Sequence, residues 1–220
     1  MPLAALLLAL ALTSCAPGPT PPPSPNVTEA AATPIPSTPE PVLEPSEIVV
    51  GPDGFVVAHA DESAPFVFAW ADDPAPALAE LEELFGAAPE VTIAPPGEGS
   101  PHYAPSDSYS WDSFTIFVAQ LDRPRDEYLM PSFVRLTGDE SHGVRLTSRL
   151  GISVGDDIAA VLLLNPAPEV LSFPSDEGQI TYYYADFSTD PAVSRAVLFG
   201  PAPDGSVVER IFAPRSPQDP

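Results

Sequence analysis

Six groups in this 220-residue chain stand out as able to do chemistry: one thiol, three imidazoles and two Asp-Asp pairs. The thiol is Cys15, the only cysteine, which closes the string Leu12-Thr13-Ser14-Cys15 after a run of Leu and Ala over residues 3–12. In an exported chain a lone thiol has no disulfide partner and is a reactive liability unless it is capped. His59, His102 and His142 lie far apart, none at a metal-ligand spacing, so each reads as a surface or capping residue. Ser141-His142 has no nucleophile elbow around it, and no Gly-rich phosphate loop follows a strand. Asp72-Asp73 and Asp156-Asp157 read as helix caps rather than a calcium loop or an acid–base pair. Two carboxylates do acid–base work only where a pocket drives their pKa values apart. These residues point away from an enzyme: they predict no catalytic residue, no metal and no cofactor.

What surrounds Cys15 is an address. About ten apolar residues are too few for a hydrocarbon core that needs roughly 20 helical residues. A core of roughly 7–15 apolar residues before small ones is a secretory-signal pattern. The usual positive n-region is missing, and only the amino terminus of Met1 supplies charge. The string Leu12-Thr13-Ser14-Cys15 resembles the lipobox of bacterial lipoproteins. That resemblance implies a signal peptide over residues 1–14, cleavage before Cys15 and a diacylglyceryl group on its sulfur. The chain would then be anchored to the outer face of the cytoplasmic membrane, since two acyl chains hold stably where one does not. An ordinary signal peptide with an incidental cysteine is the alternative.

Charge narrows the partners. The chain has 31 acidic residues, eight arginines and no lysine, for a formal charge of −23. Residues 1–122 hold 17 acidic and no basic side chains, and residues 123–220 hold 14 acidic residues and all eight arginines. Nucleic-acid affinity comes from Lys and Arg on phosphates, so this balance argues against it. It argues equally against adhesion to anionic headgroups. Solubility outside the cell accounts for the charge; so does an acidic face for a basic partner or divalent cations. Absent lysine with abundant Ala, Pro and Arg suggests a high-GC genome, as in a monoderm bacterium.

Residues 16–46 hold 11 prolines in 31 positions. Such a segment cannot bury enough apolar surface to offset its ordering entropy. It is expected to be a disordered tether with polyproline II bias, about 3.1 Å per residue where extended. Asn26-Val27-Thr28 matches a sequon weakly; O-linked sugars on Thr or Ser beside Pro, or no modification, both fit.

The elements that must position any site lie in residues 47–214, with 215–220 a disordered tail. About 168 residues suffice for one sizeable core or two small packed halves. Ile48-Val49-Val50 and Phe55-Val56-Val57 flank Gly51-Pro52-Asp53-Gly54, a hairpin signal. Residues 66–70 read as a further strand. Asp73 as N-cap and Pro74 at the first helical position start a helix with Ala77, Leu78, Leu81, Leu84 and Phe85 on one face, Glu80 and Glu83 opposite, and Gly86 as its stop. A second helix is expected near residues 156–164, with Asp156 or Ser153 as cap and Asn165-Pro166 as terminator. Ala88-Pro89-Glu90-Val91 follows the first helix and Ala167-Pro168-Glu169-Val170 the second. Aromatic strands come next in both places: residues 109–111 and 114–118, then 180–184 and 195–199. Pro203-Asp204-Gly205-Ser206 turns into a last strand over 207–212. The repetition suggests an internal duplication offset by about 80 residues. The fold class expected is α+β: two tandem helix-plus-antiparallel-sheet halves, about 47–137 and 138–214, after the Pro-rich linker.

The run Gly155-Asp156-Asp157-Ile158 through Pro168, then Tyr182 to Tyr184, Val197-Leu198-Phe199 and Asp204-Gly205-Ser206-Val207-Val208, is similar to a recurring pattern. It belongs to the small outer-membrane assembly lipoproteins, which the beta-lactamase inhibitory proteins carry in tandem. The resemblance covers about 60 residues of the second half and, more faintly, the first. Asn165 stands where that family usually has Gly. The resemblance implies one helix or helical pair packed on a short antiparallel sheet. The whole chain also resembles uncharacterised secreted lipoproteins of high-GC monoderm bacteria.

The residues left for function are aromatic. Tyr182, Tyr183 and Tyr184 alternate across a strand, so Tyr183 faces away from its neighbours. Tyr109 and Trp111 share a face on the corresponding strand of the first half. They are either core and sheet packing or a concave aromatic face that binds a protein or glycan. The reading preferred is a non-catalytic, lipid-anchored interaction module that binds an envelope or exported protein. A glycan or small-ligand sensor comes second and an exported hydrolase third.

Overall fold

The computed structural model describes residues 46–61, 63–95, 105–166, 168–175, 178–190 and 193–217. Cys15, His102 and nearly all of the Pro-rich segment lie outside these. Strands β1 (Glu47–Val50), β2 (Gly54–Ala58) and β3 (Phe66–Ala69) precede helix α1 (Pro74–Phe85). Then come β4 (Glu90–Ala94), β5 (Ser106–Trp111), β6 (Phe114–Ala119) and β7 (Ser132–Leu136). The short pair β8 (Glu140–Ser141) and β9 (Val144–Ser148) leads to α2 (Ile158–Leu164). Four strands finish the chain: β10 (Glu169–Ser175), β11 (Gly178–Phe187), β12 (Ala196–Pro201) and β13 (Val208–Arg215).

Both helices start on aspartates. Asp73 Oδ1 accepts from Ala75 N–H at 3.1 Å, Pro74 needs no donor at the first position, and Gly86 ends α1 at φ 63°. Ala77, Leu81 and Phe85 are the buried stripe of that helix. In α2 the cap is Asp157, one residue later than the sequence suggested: its Oδ1 accepts from Ala159 N–H at 2.8 Å. Asp156 instead accepts from Ser153 N–H at 2.8 Å, closing the preceding turn. Asp72 does the same before α1, accepting from Ala69 N–H at 3.0 Å. Each Asp-Asp pair thus splits its two carboxylates between turn and helix in the same way.

The strands make two sheets, a five-stranded one in the order β3-β2-β1-β9-β8 and an eight-stranded one in the order β10-β11-β12-β13-β7-β6-β5-β4. The result is a β-rich α+β fold, not two self-contained helix-plus-sheet halves. β9 pairs in parallel with β1, Val50 opposite Ser148, so residues from both sides of the expected boundary near 137 build one sheet. The reason is burial. Ile48, Val50 and Leu146 are fully buried, and pairing β1 with β9 as well as β2 satisfies backbone groups that water cannot reach. The eight-stranded sheet is itself palindromic. The meander after α1 and the meander after α2 meet at the β7–β13 pairing, Leu136 opposite Ile211.

One apolar cluster holds this together. Trp70, Phe55 and Phe68 from the first strands, Ala77, Leu81 and Phe85 of α1, and Ile158 and Val161 of α2 all belong to it. So do Trp111, Phe114, Ile116, Val134, Leu136, Val197, Phe199 and Ile211 of the eight-stranded sheet. Strand residues alternate between faces, so these mark one face of that sheet as the covered one. Both helices and the five-stranded sheet bury their apolar residues on that side. Arg149 also ties the layers, its Nε donating to Asp186 Oδ1 at 3.0 Å.

Candidate functional site: the outer face of the eight-stranded sheet

The register of β5, β6, β7, β13, β12 and β11 assigns every side chain to one of the two faces. The five aromatics named as candidates for a binding face divide between them, with Tyr183 opposite Tyr182 and Tyr184 as alternation requires. Trp111 is on the covered face, 2% exposed, with Nε1 donating to the Ala87 carbonyl at 2.7 Å and its ring 5.3 Å from Phe85. Tyr109 and Tyr183 lie on the same side, half-buried against the main core. Tyr182 and Tyr184 lie on the opposite, outer face, where Tyr184 packs with Ala196 and Leu198 and its hydroxyl donates to the Ser216 carbonyl at 3.3 Å. Trp111 is therefore a core ring: the face that looked equivalent from its aromatics is the one that α1 covers.

The outer face carries residues that the aromatic count missed. From β6 come Thr115 and Phe117, from β7 Phe133 and Arg135. From β13 come Arg210, Phe212 and Arg215, and from β12 Leu198 and Gly200. Phe117 and Phe133 stack at 4.4 Å with an interplanar angle of 3°. The Arg135 guanidinium lies 5.4 Å over Phe117; that of Arg215 lies 5.4 Å over Phe133 and 5.1 Å over Phe212. Each such contact contributes about 0.5–2 kcal/mol, more where water is excluded. Tyr182 and Arg210 close over Gly200: a Cβ there would come 2.7 Å from both Tyr182 Cε1 and Arg210 Cγ. Bulges between Ala185 and Phe187, Ala196 and Leu198, and Gly200 and Pro201 bend the strands locally.

Electrostatically the centre of this face is unusual. Burial and the nearby Arg210 guanidinium both push the Arg135 pKa below its usual value. Arg135 Nε is buried without a hydrogen-bond partner among the described residues. Arg210 pairs with its chain neighbour Glu209. A sequence signal for this site existed: Phe133-Val134-Arg135-Leu136 and Glu209-Arg210-Ile211-Phe212 each set an arginine inside an apolar, strand-like run.

The remaining chemical candidates are scattered. His59 Nε2 is 3.2 Å from Glu80, and His142 Nε2 is 3.3 Å from Asp112. Ser141 Oγ donates to the Trp111 carbonyl at 2.6 Å, which ties that hydroxyl to the backbone of β5. A surface cleft of about 290 Å³ lies beside that pair, lined by Ala88, Glu90, Ser110, Trp111, Asp112 and His142. Among the described residues no three His, Cys, Asp or Glu side chains converge as a metal site, and no helix is long and apolar enough to cross a membrane. Cys15 lies outside the described residues. No family model matches the chain, and neither a curated protein nor a solved structure matches it.

Proposed function

We propose that this chain is a non-catalytic, surface-anchored interaction module of a bacterial cell envelope. Lipid on Cys15 holds it to the outer face of the cytoplasmic membrane, the Pro-rich segment spaces it outward, and the outer face of the eight-stranded sheet binds another envelope or exported protein. The observation that carries the reading is the asymmetry of that sheet. One face is covered by both helices and the second sheet, while the other carries the partly exposed Tyr182, Phe212, Arg135, Arg210 and Arg215 over the buried rings Phe117, Phe133 and Tyr184; Tyr and Arg are residue types favoured as interface anchors. The module is read as a duplication whose units are α1 to β7 and α2 to β13. Two things support it: the palindromic strand order, and the matching division of labour within Asp72-Asp73 and Asp156-Asp157.

A photo-crosslinking residue tests the face. Placed at Tyr182 in cells, it is expected to give a discrete protein adduct; placed at Glu82, exposed on α1, it gives none. Adducts from position 82 alone would move the working surface to the helix side. Cys15→Ser tests the anchor: it should shift the protein from membranes to the medium or leave it unprocessed, and a wild-type N-terminus bearing an unmodified, uncleaved Cys15 would refute it. A second reading, a glycan or small-ligand sensor, has one observation in its favour. The Trp111 edge meets Glu90, Asp112 and His142 in the cleft beside β5. Soluble sugars that protect Asp112 or His142 from solvent exchange would favour it.

A further inference from the structure

We propose that the outer face of the eight-stranded sheet recognises an acidic protein segment, in which carboxylates alternate with apolar side chains, through Arg135 and Arg210. The inference rests on the reading of that face as the binding surface and adds the chemistry of its partner.

The chain holds eight arginines against 31 acidic residues, and three of the eight fall on this one face. Packing explains part of the arrangement, because guanidiniums over Phe117, Phe133 and Phe212 help to cover those rings. Packing does not explain why Arg135 holds a charge at a half-buried position that burial, and then the nearby Arg210 guanidinium, disfavours. No carboxylate lies within ion-pair distance of Arg135 among the described residues, although acids are plentiful elsewhere. A partly desolvated cation beside a like charge is an open valence for an anion, and a guanidinium fork matches a carboxylate in two bonds.

The rest of the face selects the kind of anion. Tyr182 and Phe212, both partly exposed, present apolar area beside the guanidiniums, so the complement needs apolar groups next to its charges. A polyanion fits poorly. Three arginines do not offset the repulsion of a chain at −23, which acts over about a Debye length, roughly 10 Å. A short segment with a few carboxylates gains the close contacts and feels little of the distant field. Nucleic acid, teichoic-type polymers and anionic membranes are disfavoured on that ground.

Selection of random linear peptides displayed on phage against the full chain tests this. Enriched sequences should place Asp or Glu beside Phe, Tyr or Leu, and labelled copies should bind more weakly as salt rises. Arg135→Met and Arg210→Met should each weaken them about thirtyfold, the loss expected when one partner of a close charge pair is removed. Arg123→Met removes the same charge at an exposed site beside Asp122 and Glu127, and should change affinity by no more than about twofold. Melting curves of all three variants show whether each remains folded; if Arg135→Met is unfolded, Arg210→Met at its half-exposed position decides. Neutral peptides that need Tyr182 but neither arginine would keep the docking face and overturn its acidic partner. Peptides indifferent to Tyr182, Arg135 and Arg210 would overturn both readings, as would a failure to enrich any sequence. Stronger, arginine-dependent binding of polyphosphate or anionic vesicles would replace the protein segment with a polyanion.

Discussion

The two faces of the eight-stranded sheet are built from the same strands and carry different side chains. On the covered face Phe114, Ile116, Val134, Leu136, Phe199 and Ile211 are fully buried and belong to the one apolar cluster. On the outer face, one residue away along each strand, stand Thr115, Phe117, Arg135, Gly200 and Arg210. The first face has the composition of a core, in which every buried group is satisfied. The second keeps charge half-buried and a glycine over which Tyr182 and Arg210 close. A partly buried Arg135, unpaired among the described residues, adds nothing to the fold that an apolar group of similar size would not.

Substitutions on the two faces should therefore differ in kind. The largest effect belongs to the covered face: Trp111→Ala is expected to cost about 3–5 kcal/mol, because it opens a large cavity and strands the Ala87 carbonyl. Chemical denaturation checks this, and a loss below about 1 kcal/mol would mean that the ring is not core. Next comes Gly200→Ala on the outer face. Its Cβ would press on Tyr182 and Arg210, so about 1–3 kcal/mol is expected, together with displaced Tyr182 ring resonances. Unshifted resonances would show that the Tyr182 ring does not pack over that glycine.

A smaller effect compares the two halves of the chain. Asp73→Ala and Asp157→Ala should each cost about 1 kcal/mol, and similar amounts, because both carboxylates cap a helix through the N–H two residues on. Clearly unequal losses would weaken the duplication. The preceding carboxylates offer a parallel pair, Asp72→Ala and Asp156→Ala, each removing one bond to a turn N–H.

How much of this was legible depended on whether the signal was local. Helix α1 was readable to the residue, because its cap, its first-position proline, its apolar stripe and its αL stop all act within one segment. The β1–β2 hairpin was readable for the same reason: Gly51 N–H donates to the Gly54 carbonyl at 2.8 Å within the expected turn. Three strands between residues 132 and 148 were not foreseen. β8 is two residues long, and β9 owes its place to a parallel pairing with β1 nearly a hundred positions away. The aromatic face was half readable. Alternation placed Tyr182 and Tyr184 together and Tyr183 opposite, but nothing local told which side the helices would cover. That choice made Trp111 core and left Tyr182 outside. The arginines were passed over because the eye follows rings, whereas an arginine inside an apolar strand is the rarer event.

The claim at the centre is that the outer face is maintained for binding and not for stability, and thermal unfolding of Arg135→Met tests it most directly. Methionine keeps a polarizable side chain over Phe117 and removes a half-buried charge that sits beside Arg210. Replacing such a charge by an apolar group of similar size is often neutral or stabilising. The account predicts a midpoint equal to or above that of the wild type. A variant destabilised by about 2 kcal/mol or more would show that Arg135 is part of the framework, and would contradict the division between the two faces.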